Sequence, residues 1–415
     1  MSFENREVVI TGMGIVSCLG IGADACARSL REGRSGIGLD PERKALGFRS
    51  SLTGRIVGFD PEKVLSRKAR KTMPEVGVWA YAACEEARQM AGLSPDDLRG
   101  PGAGVIVGND SAAAATVEGI DKTRADKTTR LLGSGLVFQS MTSSVSMNLS
   151  TLYGSQGASW TLAAACSSGA HSVGQAALLV ATGLQDVVLA GGAQEVNFAA
   201  FATFDAINAF STREDDPERT PRPFDRSRDG LVPSGGAAML VVESLERARR
   251  RGARVLARIG SYAFSCDGEH ISLANGKGAL RCMEDALGRA RLGAGEIEYV
   301  NAHATGTPQG DAVEARALST LFGGKGVPVS STKSMSGHEC WMAGASELVY
   351  SILMMRDGFI APNRNLEDPD EACEGLLLPR EALARRPRTV LSNSFGFGGT
   401  NAAIVLMADE GSVRR

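Results

Sequence analysis

The sequence predicts an α/β protein built from two similar halves. Three features predict it. Short apolar, β-branched runs alternate with helix-like patterns; the runs fall into two sets of five; and the sets divide at the basic stretch Arg247–Arg254. The first set is Val8–Thr11, Gly104–Val107, Ser159–Leu162, Asp186–Ala190 and Ala238–Val242. The second is Val255–Ser261, Tyr299–Asn301, Pro328–Ser331, Thr389–Ser392 and Ala402–Leu406. Most runs are continuously apolar rather than alternating, as expected for sheets covered on both faces. The letters of the halves do not visibly repeat. The expected division is an N-terminal half over 1–250 and a C-terminal half over 251–415, packed as one body without a flexible linker. The Pro-, Arg- and Asp-rich run Thr212–Gly230 reads as an ordered surface loop.

Composition narrows the function classes. With 43% apolar and 22% charged residues the chain can bury a sizeable core. A net charge of −2 gives no electrostatic footprint for nucleic acid or an anionic membrane. No apolar run reaches the roughly 20 residues that span a bilayer, and the charged N-terminal stretch around Glu4, Arg6 and Glu7 carries no signal region. The expectation is a soluble cytoplasmic protein. Eight cysteines without C-x-x-C spacing read as reduced, mostly buried side chains.

One cysteine stands apart by context. In TLAAACSSGAHSVGQAALLVATG (Thr161–Gly183) a strand runs into small residues, and positions 170, 173, 174, 177 and 181 then recur at helical spacing. Cys166 therefore falls near a helix N-terminus, where unpaired N–H groups and the dipole favour a thiolate and lower its pKa. Strand, turn and helix form a nucleophile elbow with Cys in place of Ser. A buried structural cysteine fits the same letters.

Two of the four histidines sit at strand ends. His303 lies in VNAHATGTPQGD (Val300–Asp311), beside a Gly/Thr/Pro loop. His338 lies in SSTKSMSGHECWMAGASE (Ser330–Glu347), where a helical pattern begins near Gly337. His338 thus mirrors Cys166 in the other half. The two lack the i, i+4 spacing of a zinc helix, so no metal site is expected. Singly, such histidines are structural more often than catalytic; together with Cys166 they outline a cleft. His171, one turn beyond Cys166, reads as packing, and His270 falls in a segment that reads as surface or interface. The loop NSFGFGGTN (Asn393–Asn401) has no following Lys or helix, so it is no phosphate loop. Its backbone N–H groups suit an oxyanion, with Phe395 or Phe397 shaping an apolar pocket.

Taken together, AACSSGAH, NAHATGTP, STKSMSGH and NSFGFGGTN make the chain resemble the β-ketoacyl-acyl carrier protein synthases of the thiolase-like condensing enzymes. The resemblance runs from VVITGMGIVSCLG (Val8–Gly20) through RPFDRSRDG (Arg222–Gly230), with YSILMMRDGFIAPNRNL (Tyr350–Leu366) pointing to the synthase I/II branch. It implies a thiolase-like, five-layered α/β/α/β/α fold of two duplicated halves, and a homodimer, or a heterodimer with a related subunit. Cys166 would accept the acyl group, with the N–H groups of Cys166 and Phe397 as oxyanion hole. His303 and His338 would hold the malonyl thioester carbonyl as CO2 leaves. Lys333, Asp311, Glu314 and Glu347 would organise the histidines, and Thr305 and Thr307 would meet the pantetheine arm. Phe397 would also gate the acyl and malonyl sites. No cofactor is implied beyond substrates on the phosphopantetheine of acyl carrier protein. Arg67, Lys68 and Lys71, joined by Lys127 and Arg130, would form a carrier-protein patch; a merely solvated basic face reads equally well.

The sequence also departs from the family pattern. Trp341 and Met342 stand where a small Gly-Ala pair is usual, which narrows or redirects a channel. Ala304 replaces a common glycine. Asn109-Asp110-Ser111 replaces a glycine-rich element near the acyl pocket, where Ser111 is a candidate substrate contact. A specialised paralogue working with a non-catalytic chain-length partner is the alternative. A thiolase would carry a second cysteine in a C-terminal Cys-x-Gly loop, and none follows Cys373. A starter synthase would pair its cysteine with His and Asn.

Overall fold

The computed structural model describes residues 6–409, so part of the charged N-terminal stretch lies outside it. All ten expected strands form: β1 Val8–Ser17, β2 Ala103–Gly108, β3 Ser159–Leu162, β4 Val187–Gln194 and β5 Gly236–Ser244 in the first half, then β6 Ala257–Cys266, β7 Tyr299–Asn301, β8 Val329–Ser330, β9 Thr389–Gly396 and β10 Thr400–Met407. Their spatial order is β8-β7-β9-β10-β6-β1-β5-β4-β2-β3. Read outward from the centre, each half lays its strands down in the same sequence: first, fifth, fourth, second, third. The parallel and antiparallel pairings also repeat, with β2 parallel to β3 and β4 as β7 is to β8 and β9. The duplication hidden in the letters is explicit in the topology.

The halves meet where β1 pairs with β6 through Val9 and Ile10. Five helices complete the layers: α1 Glu75–Met90, α2 Ser168–Ala181, α3 Lys277–Ala290, α4 Pro308–Phe322 and α5 Ala343–Asp357. The α1 helix covers β1 and β5, and α3 covers β6 and β10, while α2 and α5 pack on each other between the two sets of strands. The buried core runs through that middle layer, joining Val173 and Val180 of α2 to Leu348 and Ile352 of α5. This is the five-layered arrangement. Burial on both faces explains why β1, β4 and β5 read as unbroken apolar runs. The sheet is less covered at its β3 edge, where Trp160 is 42% exposed, and along β6, where Phe264 is exposed.

Two expectations need correcting. The helix expected near Gly337 starts later: Gly337 adopts φ 68, Cys340–Met342 form one 3-10 turn, and α5 begins at Ala343. The run Thr212–Gly230 is not a surface loop throughout. Arg222, Phe224, Asp225 and Arg228 are buried, because the arginines find carboxylates: Arg222 pairs with Asp225, and Arg228 with Asp370. No helix among the described residues is long and apolar enough to cross a membrane.

Candidate active site

The strand β3 ends at Leu162, and the chain turns sharply before α2. Ala165 takes a left-handed φ of 48, a strained conformation for a residue with a Cβ. The turn is held by side chains at the helix start. Ser168 Oγ accepts from Ala164 N at 2.8 Å and donates to the Ala165 carbonyl at 2.6 Å. Thr400 Oγ1 donates to the Ala164 carbonyl at 3.0 Å, which ties the turn to the glycine loop of the other half. Close approach there requires glycine: a Cβ on Gly396 would sit 3.1 Å from Cys166 N and from the Ala164 carbonyl oxygen. The N–H groups of Phe397 and Cys166 consequently both lie near the Cys166 sulfur, where they favour its thiolate.

His338 arrives from the second half but is held by the first. Its N–H donates to the Val232 carbonyl at 2.7 Å, and its carbonyl accepts from Ser234 N at 2.9 Å, a strand-like bridge. This places His338 Nε2 3.1 Å from Cys166 Sγ. The His303 ring stands nearly perpendicular to that of His338, with centroids 5.2 Å apart. Sγ and a nitrogen of each ring lie within 4.8 Å of one another. Metal-bound histidines ordinarily donate their other ring N–H to a carboxylate or carbonyl. Here Nδ1 of both rings is buried with no hydrogen-bond partner among the described residues.

The supporting carboxylates act on backbone rather than on the rings. Glu314 accepts from His303 N at 2.9 Å and Ala304 N at 2.6 Å. Asp311 accepts from Thr305 N and Gly306 N, both at 3.0 Å, and from Phe224 N at 2.9 Å. Bonds to an ionised acceptor contribute about 1.5–3 kcal/mol each, so these two side chains fix the loop that carries His303. Burial pushes Asp311 up to about 6 and Glu314 up to about 7, against the pull of those N–H groups. Lys333 opens the short helix Lys333–Ser336 and pairs with Glu347 of α5, both almost fully buried. Burial raises Glu347 to about 8 while the Lys333 ammonium opposes it.

Both histidines are neutral. Burial holds each well below its ordinary value, and the Lys333 charge pushes the same way. A neutral imidazole offers one N–H donor at a time, which suits stabilising charge that develops on a substrate oxygen. The cysteine departs from the expectation of a lowered pKa. Burial pushes the Cys166 thiol up to about 12, outweighing Lys333 and the two N–H groups that favour a thiolate. At rest the Cys166 side chain is therefore a thiol. Alkylation of Cys166 by a neutral reagent is expected to accelerate with pH up to and past about pH 9. A rate that levels off below about pH 7 would show a standing thiolate instead.

A cavity of about 650 Å3 contains Cys166, His303 and His338 together with Thr305, Thr307 and Phe397. Thr305 Oγ1 donates to Thr307 Oγ1 at 3.1 Å. Ser111 is not among the lining residues: its hydroxyl donates to buried Glu195, which also receives Ala113 N, so it anchors a helix start. Trp341 is not a lining residue either, although it clusters with Cys166, Phe201 and Phe210. His171 meets the Tyr262 hydroxyl at 2.6 Å, away from the sulfur. The patch residues Arg67, Lys68, Lys71, Lys127 and Arg130 are all exposed.

Residues 5–248 match the beta-ketoacyl synthase N-terminal domain, and residues 256–367 match its C-terminal domain. The chain belongs to the beta-ketoacyl synthase family. It is 40% identical to 3-oxoacyl-[acyl-carrier-protein] synthase 1 of Escherichia coli (strain K12), over 97% of this chain and 98% of that protein. Among solved structures, a beta-ketoacyl synthase from Burkholderia phymatum STM815 superposes with a TM-score of 0.92 at 35% identity, covering 98% of this chain and all of that one. The ishigamide ketosynthase/chain length factor superposes with a TM-score of 0.91 at 31% identity, with 98% and 100% covered.

Within this ketosynthase framework, several residues escaped the reading of the sequence. Arg228 donates to the Thr307 carbonyl at 3.0 Å and lies 3.9 Å from Asp311, buttressing the His303 loop. Its signal was the motif RPFDRSRDG, masked by a composition that looks solvated. Glu339, beside His338, is buried; it accepts from Tyr350 at 2.9 Å and from Ser346, and burial raises it to about 7. The loop carrying His270 lines the cavity through Ile271 and Leu273. Nothing in its letters pointed there.

Proposed function

We propose that the protein is a β-ketoacyl-acyl carrier protein synthase working in fatty acid or related polyketide or lipid synthesis. The observation that carries this reading is the Cys166 sulfur, met by His338 at 3.1 Å and by two backbone N–H groups, in one cavity with His303.

The chemistry follows from the geometry. Cys166 Sγ attacks the thioester carbonyl of an acyl group on carrier protein, while His338 Nε2 takes its proton. The negative oxygen is held by the N–H groups of Cys166 and Phe397, aimed where charge develops. Collapse expels the carrier thiolate, which recovers the proton from His338. A malonyl thioester then binds along Thr305 and Thr307. As CO2 leaves, the bonding pair becomes an enolate whose oxygen accepts from the N–H of His303 and from His338, which by this step carries its single proton on Nε2 rather than Nδ1, interactions stronger in the transition state than before it. The enolate carbon attacks the acyl-Cys166 carbonyl, the C–S bond breaks, and the freed thiolate takes a proton from solvent. These steps need no metal or other cofactor. Labelled malonyl-carrier protein tests the reading: labelled CO2 and a β-ketoacyl product are expected from an acylated enzyme. Hydrolysis or thiolysis products alone would overturn it.

The carrier-protein face is assigned to Arg67, Lys68, Lys71, Lys127 and Arg130, supported by their exposure and shared sign. Reversing Lys68 and Lys127 to Glu should raise KM for carrier-bound substrates about tenfold at low salt and flatten its salt dependence. An unchanged salt dependence would dispose of the patch. The open edge at β3, with Trp160 exposed, supports pairing with a second chain. That chain is a second copy in a cytoplasmic homodimer. Likeness to the ishigamide ketosynthase/chain length factor supports the alternative, a related non-catalytic subunit.

A further inference from the structure

We propose, building on the reading above, that Trp341 sets an upper limit on the acyl group that Cys166 can carry, so that the enzyme loads short acyl chains and rejects long ones. The argument begins with backbone packing. The turn Cys340–Met342 lies directly on Gly169 of α2 and Gly192 of β4. A Cβ on Gly169 would stand 3.1 Å from the Trp341 carbonyl oxygen and 3.0 Å from that of Met342, and one on Gly192 would stand 2.8 Å from Met342 Cα. The turn is thus pinned from that side. The indole has to project the other way, and it does: it joins the cluster of Cys166, Phe201, Phe210 and Leu231 and is only 8% exposed.

The cavity has two unlike flanks. Thr305, Thr307 and His303 form the polar one, suited to a thioester and its pantetheine arm. Phe201, Phe204, Phe210 and Leu231 form the apolar one, where an alkyl tail would go. There the tail meets a wall. The Phe204 ring lies 6.0 Å from the indole of Trp341, and it stacks almost parallel to Phe210 at 6.3 Å and to Phe397 at 6.1 Å.

This wall has a rigid backing. Arg43, fully buried, lies with its guanidinium carbon 5.5 Å from the centre of the Phe201 ring and 5.9 Å from that of Phe210. The guanidinium is tied to the Ser51 carbonyl at 3.1 Å and the Leu52 carbonyl at 2.5 Å. Its Nε lies 3.5 Å from the Asp40 carboxylate, and its Nη1 has no hydrogen-bond partner among the described residues. Pushing the rings outward would break the remaining bonds of a buried charge, which is costly. A close-packed wall of this kind does not yield to a longer chain.

The test loads wild type, Trp341→Gly and Phe204→Ala with acyl-carrier proteins of four to sixteen carbons, reading the rate of acyl-Cys166 formation by intact mass. Wild type should load the longest chain at least about tenfold more slowly than the shortest, since each methylene denied burial forfeits a factor of a few. Trp341→Gly should raise the long-to-short ratio by about tenfold or more. Trp341→Phe, which keeps most of the bulk, should move it far less. Phe204→Ala, at a half-buried position, should shift the ratio the same way and decides the matter if the glycine variant does not fold. Equal loading of long and short chains by wild type, or an unmoved ratio in the folded variants, overturns the limit. No acylation of Cys166 at any length would overturn the synthase reading itself, a distinguishable outcome.

Discussion

Cys166→Ala enzyme is expected to release CO2 from malonyl-carrier protein while making no β-ketoacyl product. In the proposed mechanism the Cys166 sulfur holds the acyl chain, so condensation should fall below detection. Decarboxylation depends on His303 and His338, whose backbones are fixed without the sulfur: His303 by Glu314, and His338 by Val232 and Ser234. Removing the thiol leaves those anchors in place. CO2 release measured on malonyl-carrier protein alone, beside product analysis, separates the two steps. Condensation by the Cys166→Ala enzyme would place the nucleophile elsewhere. Loss of both activities in a folded variant would deny that the histidines work independently of the sulfur.

The histidines should differ from each other. Losing one donor to a developing oxyanion costs about 100- to 1000-fold, so His303→Ala and His338→Ala should both lose decarboxylation on that scale. Of the two, His338 is hydrogen-bonded to Cys166, at 3.1 Å, and in the proposed first step it takes the thiol proton. His303→Ala should therefore still acquire an acyl group on Cys166, whereas His338→Ala should load slowly as well. Single-turnover acylation followed by mass spectrometry distinguishes them. Rapid loading by His338→Ala would assign the proton to another acceptor. Neutral rings also predict a decarboxylation rate without a histidine limb between about pH 6 and about pH 8, since protonation lies well below the ordinary value.

Much of the fold was legible because covered sheets write long apolar runs. What the letters misstated were strand ends. Val8–Thr11 is really Val8–Ser17, extended through Gly12 and Gly14. The expected run stops short of Gly12, yet the strand continues and glycine is required there: a Cβ on Gly12 would lie 1.9 Å from the Ala87 carbonyl oxygen of α1. Likewise β4 runs on through Gly191 and Gly192 to Gln194, where Met342 crosses closely. The hairpin Ile37–Leu39 with Leu52–Gly54 was missed because three-residue strands carry no period.

In the site, motif letters marked Cys166, His303 and His338, but not the contact that joins residues 166 and 338. Nor did spacing reveal the sign of the cysteine shift. A helix start argues for a thiolate, and burial, which only the assembled fold creates, argues more strongly against it. Arg228 and Arg43 were invisible for a related reason. Charged letters read as solvated, and the carboxylate partner of Arg228 and the ring partner of Arg43 come from distant parts of the chain.

The most direct test of the central claim is a single-turnover chase. Enzyme is loaded with a labelled acyl group from carrier protein, freed of excess donor, and given malonyl-carrier protein. The label should be found on the peptide containing Cys166 and then pass into a β-ketoacyl-carrier product, with one CO2 released per acyl group consumed. Label on another residue, or label leaving Cys166 as free acid with no β-ketoacyl product, would contradict the account.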